Sequence, residues 1–410
     1  MRDSGGHRVR LAYLVSHPIQ YQAPLLRRIA QEPDIDLTVL FGSDFSARGY
    51  QDKGFGVQVT WDTPLLEGYR SQVLPAWHDP GTVSALTPFS RDILGALRMA
   101  DGRAKFDALW VHGYASINSL RGMAAARVLG IPLLLRAESW LADRPRSSSR
   151  LRAKRLFLRA LRPFVSAVLP IGTHNAAYWR AYLGDEVPHF PMPYAVDNRF
   201  FAEKAAAATS LLASLRAELG LEANRPVILF ASKLQERKHA DHLIQAFGKL
   251  LASELAYAAP YLVIVGDGEE RFKLEASTRE AGLEDVRFAG FRNQTELPSF
   301  FALCDVFVLP SRHEPWGLIT NEVMASGRPL VLSSDVGAAR DLVTDGVEGF
   351  VYPFGDVEAL TVALGKVLSS KETSQKMGDA AAKRVTDWDF EADVRGLRAA
   401  LAAVTHRLRA

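Results

Sequence analysis

Two glutamates, Glu314 and Glu322, stand with seven residues between them in the stretch SRHEPWGLITNE, and Gly317 lies in the middle. An apolar run from Val306 to Leu309, closed by Pro310, comes just before; a helical pattern from Ile319 to Ala325, stopped by Gly327 and Pro329, comes just after. The pattern predicts a strand, a turn and a helix. The start of such a helix carries unpaired backbone N–H groups at the positive end of its dipole, and a glycine there lets a phosphate approach the main chain. Glu322, about one turn into the helix, would then reach the hydroxyls of a ligand whose phosphates lie at the helix start. Glu314 would sit at the strand's end, where open parallel sheets bind their ligands. A nucleotide sugar carries both kinds of group. From the spacing alone, the pair reads equally well as a solvated loop acid and an ordinary first-turn helix glutamate.

Other residues are placed to join such chemistry. Lys233 follows the run PVILFAS, and Arg237 and Lys238 come just before the next helical segment. Three cations at the end of a parallel strand suit a departing pyrophosphate, whose growing charge they would stabilise; the alternative is a solvated basic loop. Gly266 and Gly268 of VGDG stand between a buried strand and a helix, a position for close approach to a nucleotide or simply a turn. His112 ends the run ALWVHGY beside Gly113 and could meet a sugar hydroxyl or a phosphate, or be a satisfied structural histidine. Arg136 and Glu138 fall at the end of PLLLRAES, at a strand end that would face a cleft. The first turn, SHPIQYQAP, offers His17, Gln20 and Gln22 but no glycine, so it is assigned to the acceptor side. No Asp-x-Asp and no clustered histidines occupy a suitable turn, so no metal is expected.

These residues need elements to hold them. Apolar runs of four to eight residues alternate with helical segments along both halves of the chain, the signature of parallel sheets built from crossover units and covered on both faces. Residues 44 to 92 break the pattern and read as loops and short strands. A chain of 410 residues is too long for one core, and two domains are expected. The proline-dense VPHFPMPYAVDNRFF places the boundary near Asp197, giving 1–197 and 198–385. A last helix, about Phe390 to Ala410, is apolar at helical spacing through Val394, Leu397, Leu401 and Val404.

Composition bounds the class. With 48% apolar and 23% charged residues the chain is soluble and globular. The single cysteine, Cys304, sits in the apolar FFALCDVFVLP; it excludes a disulfide framework and a cysteine zinc site, and points to the reducing cytoplasm. No run of eighteen apolar residues exists, and MRDSGGHR leads straight into a strand, so neither a membrane span nor a signal peptide is expected. A net charge of +3 does not announce nucleic acid. Charge is concentrated instead between Arg144 and Arg162, with eight basic residues and no acid, and Leu151, Phe157, Leu158 and Leu161 fall near helical spacing. A basic amphipathic helix over Arg150–Arg162 would attract anionic lipid headgroups at about 1 kcal/mol per cation near the surface; the alternative is a solvated face over a core stripe. No stacking aromatics interleave the arginines as a nucleic-acid surface would require.

The passage DVFVLPSRHEPWGLITNEVMASGRPLV resembles the signature of the retaining glycosyltransferases of family 4. The resemblance runs on through FASKLQERKHADHLIQAF, YLVIVGDGEERFKLE, VRFAGF and TDGVEGFVYPFGD. It implies the GT-B architecture: two doubly wound, Rossmann-like parallel-sheet domains facing a cleft, the C-terminal helix (386–410) crossing back to the first. It implies a metal-independent hexosyltransferase that moves a sugar from a nucleoside diphosphate donor, UDP or GDP, to an acceptor hydroxyl in cell-surface polysaccharide or glycolipid assembly. In the family's front-face mechanism the sugar–phosphate bond loosens first and the acceptor attacks from the same side. Glu314 would hold donor-sugar hydroxyls and Glu322 the ribose; Gly317 and Leu318 would offer N–H groups, the base would bind near Gly266 and Gly268, and His112 matches a histidine often found at that strand end. Such an enzyme would work in the cytoplasm or peripherally at the inner membrane face, on a sugar or lipid-linked sugar. The chain departs from the family in three places: Lys233 stands where an arginine is usual, Glu138 near a usual His-Asp pair, and the first loop lacks glycines. A sugar-nucleotide epimerase or phosphorylase on the same fold, or a non-catalytic sugar-nucleotide-binding subunit, are the rivals.

Overall fold

The computed structural model describes residues 8–52, 54–79, 81–142 and 145–406. Arg144, residues 1–7 and the last four residues of the expected C-terminal helix lie outside the described residues. The chain forms two compact units: Met1–Tyr50, Thr63–Tyr194 and Phe390–Ala410 in the first, Gln51–Asp62 and Ala195–Asp389 in the second.

In chain order the strands are β1 Val9–Val15, β2 Ile35–Phe41, β3 Tyr50–Asp52, β4 Val57–Val59, β5 Arg70–Val73, β6 Ala76–His78, β7 Phe89–Ser90, β8 Ala108–His112, β9 Leu133–Arg136, β10 Ala167–Val168, β11 Val227–Ala231, β12 Tyr261–Val265, β13 Val286–Gly290, β14 Val306–Leu309, β15 Leu330–Ser333 and β16 Gly349–Tyr352. The first unit holds a parallel sheet in the order β10-β9-β8-β1-β2-β5, the second a parallel sheet in the order β13-β12-β11-β14-β15-β16. Each order reverses direction once, between β8 and β1 in the first sheet and between β11 and β14 in the second. At such a switch the loops leaving the strands' C-terminal ends part and open a crevice, which is where α/β sheets take their ligands.

The near-continuous apolar strands follow from coverage on both faces. In β1, Ala12 and Leu14 join one core with Leu109, Val111 and Met123, while Leu11, Tyr13 and Val15 join another with Leu25, Ile29 and Trp110. The second core is completed by Val394, Leu397, Leu401 and Val404 of the helix Phe390–His406, which belongs to the first unit although it comes last in the chain. Gly396 lets that helix lie on the main chain, since a Cβ there would meet the Pro191 carbonyl at 1.8 Å.

A buried ion pair reinforces this. Arg136 Nη2 lies 3.1 Å from Asp393 Oδ1 and also donates to the carbonyl of Met192 at 2.9 Å. Arg136 is 1% exposed. It is therefore a structural residue, not the ligand-facing strand-end group its position in PLLLRAES suggests.

The segment Gln51–Asp62 groups with the second unit, although the sequence placed it within 1–197. Phe55 packs edge-on against Phe291 at 4.8 Å, Asn293 Nδ2 donates to the Thr60 carbonyl at 2.7 Å, and Asp52 pairs with Lys233. These contacts are non-local and leave no periodic trace.

Candidate functional site

In the second unit the switch point is formed by the turns after β11 and β14. The turn after β11 carries Lys233, Arg237 and Lys238; the turn after β14 runs from Ser311 to Leu318. A hydrogen bond from the Arg312 amide to the Arg237 carbonyl, 2.8 Å, ties the two together.

The fold pairs the expected acids and cations with each other. Glu314 is 8% exposed and accepts hydrogen bonds from the ammonium of Lys238 and from Arg237 Nη1, the latter at 3.2 Å. Lys238 is buried, and burial holds its ammonium below the usual value although the Glu314 charge opposes this. Arg237 remains about half exposed and free to turn to a second anion. Lys233 is drawn into a two-pronged contact with Asp52, at 2.7 and 2.9 Å, and lies over the Phe55 ring. Asp52 was not visible as a site residue in the sequence: nothing near it marks a partner 181 positions away.

Gly317 has φ +85, and a Cβ on it would lie 2.9 Å from Leu309 Cδ2. The turn needs a glycine. Among the described residues, the N–H groups of Gly317 and Leu318 donate to no partner. Trp316 stacks on Trp388 at 5.1 Å and donates to Asn321 Oδ1 at 2.9 Å, holding the turn over the helix Ile319–Ala325.

Glu322 lies in the first turn of that helix, 8% exposed, and its carboxyl has no hydrogen-bond partner among the described residues. Burial alone pushes its carboxyl up to about 8. A buried acid without a partner is costly in an isolated protein, and such a group is typical of a site that a ligand completes.

Gly266 and Gly268 are explained within the chain. A Cβ on Gly266 would fall 1.9 Å from the Ser232 carbonyl oxygen, and one on Gly268 2.4 Å from that of Leu234. Their small size lets the turn after β12 press on the turn that carries Lys233. Gly266→Ala should therefore lower stability by at least about 1–3 kcal/mol. A urea midpoint equal to that of the wild type would show that the Ser232–Leu234 turn yields instead.

The first unit has its own switch point. His112, at the end of β8, has its Nε2 3.8 Å from Glu138 Oε1. The same oxygen accepts from the hydroxyls of Tyr21, at 3.1 Å, and Tyr194. Burial pushes the Glu138 carboxyl up, but His112, Tyr194 and Tyr21 outweigh it and hold it below its usual range. Gln22 is buried, accepts from Tyr13 at 2.7 Å, and has its amide nitrogen 3.4 Å from both His112 ring nitrogens. His17 stacks on Phe45 and is pushed down to about 4 by burial and by His112. Gln20 makes no side-chain hydrogen bond among the described residues. Glu138, which the sequence left without a role, is thus the centre of this cluster.

The basic segment forms the helix Ser148–Leu161. Only Leu158 and Leu161 of its apolar residues are buried; Leu151, Leu156 and Phe157 stay exposed, at 39%, 67% and 37%. Helical spacing shows which residues share a face, and here little covers that face. Arg150, Arg152, Arg155 and Arg159 form no ion pair among the described residues. No described helix is long and apolar enough to cross a membrane. Cys304 is fully buried, its thiol pushed up to about 12 by burial.

The fold also brings together three ligating side chains that the sequence did not single out, His239, Asp241 and His242.

Comparison with known proteins converges on one group. Residues 213–384 match the family model described as Glycosyl transferases group 1. The chain is 30% identical over 275 residues to an alpha-D-kanosaminyltransferase of Streptomyces kanamyceticus, covering 63% of this chain and 66% of that protein. It is 32% identical over 165 residues to the lipopolysaccharide core biosynthesis glycosyltransferase LpsE of Rhizobium meliloti, covering 40% and 46%. It is 34% identical over 207 residues to a D-inositol 3-phosphate glycosyltransferase of Streptomyces griseus, covering 48% and 44%. The aligned segments thus span two thirds of these relatives or less. Among solved structures, Anabaena HepE in complex with UDP and glucose superposes with a TM-score of 0.72 at 19% identity, covering 97% of this chain and all of that one. A sucrose-phosphate synthase of Thermosynechococcus elongatus follows at 0.69 and 18%, covering 98% of this chain. The architecture is that of the GT-B glycosyltransferases, and the chain is a homologue of the group 1 glycosyl transferases over the segment that holds Glu314 and Glu322.

Proposed function

We propose that this chain, a homologue of the group 1 glycosyl transferases, is a retaining, metal-independent transferase of family 4. It moves a hexose from a nucleoside diphosphate, UDP or GDP, to an acceptor hydroxyl. The observation that carries the reading is the pairing of buried Glu314 with Lys238 and Arg237, followed in the next helix by a buried and partnerless Glu322.

In the Michaelis complex, ribose hydroxyls donate to Glu322, which ionises as they arrive. The diphosphate takes the unpaired N–H groups of Gly317 and Leu318 and the half-exposed Arg237, and draws on Lys233 and Lys238. As the sugar–phosphate bond loosens, negative charge grows on the departing phosphate against these fixed donors, which is where such donors act most strongly. Glu314, its lone pairs only partly used, holds sugar hydroxyls. The leaving phosphate takes the acceptor proton, so no pair of catalytic carboxylates is needed. His112, steadied by Glu138 and Gln22, donates to a sugar hydroxyl or phosphate.

A panel of UDP-, GDP-, dTDP- and ADP-sugars tests the reading. Slow donor hydrolysis and thermal stabilisation by one nucleotide are expected, with transfer when acceptor is supplied. Release of nucleoside diphosphate at a rate that no added acceptor raises, or interconversion of the sugar, would favour the epimerase or phosphorylase reading.

The helix Ser148–Leu161 supports a lipid-linked acceptor in cell-surface polysaccharide or glycolipid assembly, with the enzyme resting on the inner face of the membrane. Binding to anionic vesicles is expected to weaken with salt, because exposed charges are screened over about 8 Å at physiological ionic strength. Reversing Arg152, Arg155 and Arg159 to glutamate should abolish co-sedimentation while donor hydrolysis in solution continues. Wild-type protein that stays in the supernatant with both neutral and anionic vesicles would remove the membrane contact and favour a soluble acceptor.

A further inference from the structure

The sequence H-A-D-H, at the start of the helix Ala240–Leu251, places two imidazoles and a carboxylate on one turn. His239, Asp241 and His242 each offer one donor atom, and the three lie within 4.8 Å of one another. His239 Nδ1 is 3.6 Å from Asp241 Oδ1, and His242 Nε2 is 4.0 Å from Asp241 Oδ2. The two rings stack at 4.5 Å and both rest against Phe354, which limits their movement on that side.

Two further atoms call for an explanation. His242 Nδ1 and the Tyr352 hydroxyl are buried and have no hydrogen-bond partner among the described residues, and Tyr352, 2% exposed, lies within electrostatic reach of Asp241. Buried polar atoms are almost always paired, so the unpartnered His242 Nδ1 marks a ring nitrogen of this cluster that lacks a partner.

We propose that His239, Asp241 and His242 bind a borderline divalent cation of the Zn²⁺, Ni²⁺ or Co²⁺ class, with water completing the coordination. Two imidazoles with one carboxylate favour such ions, whereas Mg²⁺ and Ca²⁺ prefer oxygen ligands. With ligand bonds of about 2.0–2.2 Å in a tetrahedral arrangement, donor pairs lie about 3.3–3.6 Å apart, so side-chain rotations must bring the widest pair closer by somewhat more than about 1 Å to close the site. His239 follows Lys238 directly, so the ion would clamp the turn that presents Arg237 and Lys238, without itself meeting the reacting sugar. The proposal does not depend on the assigned reaction.

The test uses tag-free full-length protein stripped with EDTA. Calorimetric titration with ZnCl₂ should give one site per chain, CoCl₂ should develop visible d–d absorbance with the same stoichiometry, and MgCl₂ should give no heat. Asp241→Asn and His242→Ala should each weaken Zn²⁺ at least tenfold while melting like the wild type in EDTA. UDP titration of the same samples reads the donor site separately. Absence of saturable Zn²⁺ binding to the wild type, or equal Zn²⁺ affinity in both variants and the wild type, would overturn the proposal.

Discussion

Glu314→Ala is expected to lower the unfolding free energy by about 3–5 kcal/mol, because it leaves the buried Lys238 ammonium without its acid. Turnover should fall on the order of a hundredfold, since a group that holds the sugar and orders the two cations is lost. Nucleoside diphosphate affinity should fall less than turnover, because the ribose contact of Glu322 is untouched. In sequence Lys238 reads as a cation for a departing pyrophosphate or as part of a solvated basic loop; in the structure it is 7% exposed and paired with Glu314. Glu314→Gln keeps the volume and one acceptor and should fall between wild type and alanine. Urea unfolding followed by circular dichroism, with donor turnover on the same samples, separates the effects. Equal stability of Glu314→Ala and wild type would deny the pair its role; lost stability with normal turnover would make Glu314 purely structural.

The unliganded protein should lose stability between pH 4.5 and about 8 by roughly 3–5 kcal/mol relative to Glu322→Gln, as one tenfold change in proton affinity is about 1.4 kcal/mol. The sign follows from proton counts. In that window the folded protein keeps a proton on Glu322 that the unfolded chain, with its carboxyl near 4.5, has released. The contribution is therefore complete below pH 4.5 and fades as pH rises through the folded value. Ribose hydroxyls need the ionised carboxylate as acceptor, so UDP or GDP affinity should climb as pH approaches 8 and then level. In Glu322→Gln both slopes should flatten, with affinity reduced by an amount typical of hydrogen bonds to a charged acceptor, roughly 1.5–3 kcal/mol. Parallel pH titrations of stability and of nucleotide binding decide the matter. Identical pH profiles in wild type and variant would sink the ribose assignment.

What the sequence determined by itself is local. The strand Val306–Leu309 and the helix Ile319–Ala325 were readable to the residue, because an apolar run closed by Pro310 and a helical period stopped by Gly327 depend only on near neighbours. The doubly wound sheets were readable for the same reason: strands covered on both faces must be apolar throughout. Pairing is another matter. Arg136 meets Asp393, Lys233 meets Asp52 and Lys238 meets Glu314 across 257, 181 and 76 positions, and no spacing rule links residues so distant. Hence Arg136 looked like a ligand-facing group, Asp52 went unnoticed, and the pairing of Lys238 with Glu314 was not visible. The glycines show the same division. Their type announces a close approach, but only the tertiary structure shows that Gly266 approaches the main chain of Ser232. In the basic helix, periodicity put Leu151, Phe157, Leu158 and Leu161 near one another, yet only the packing of the first unit decided that Leu158 and Leu161 are buried while Leu151 and Phe157 meet solvent. A helix's own sequence sets which side chains share a face; whether that face is covered depends on chain folded from elsewhere.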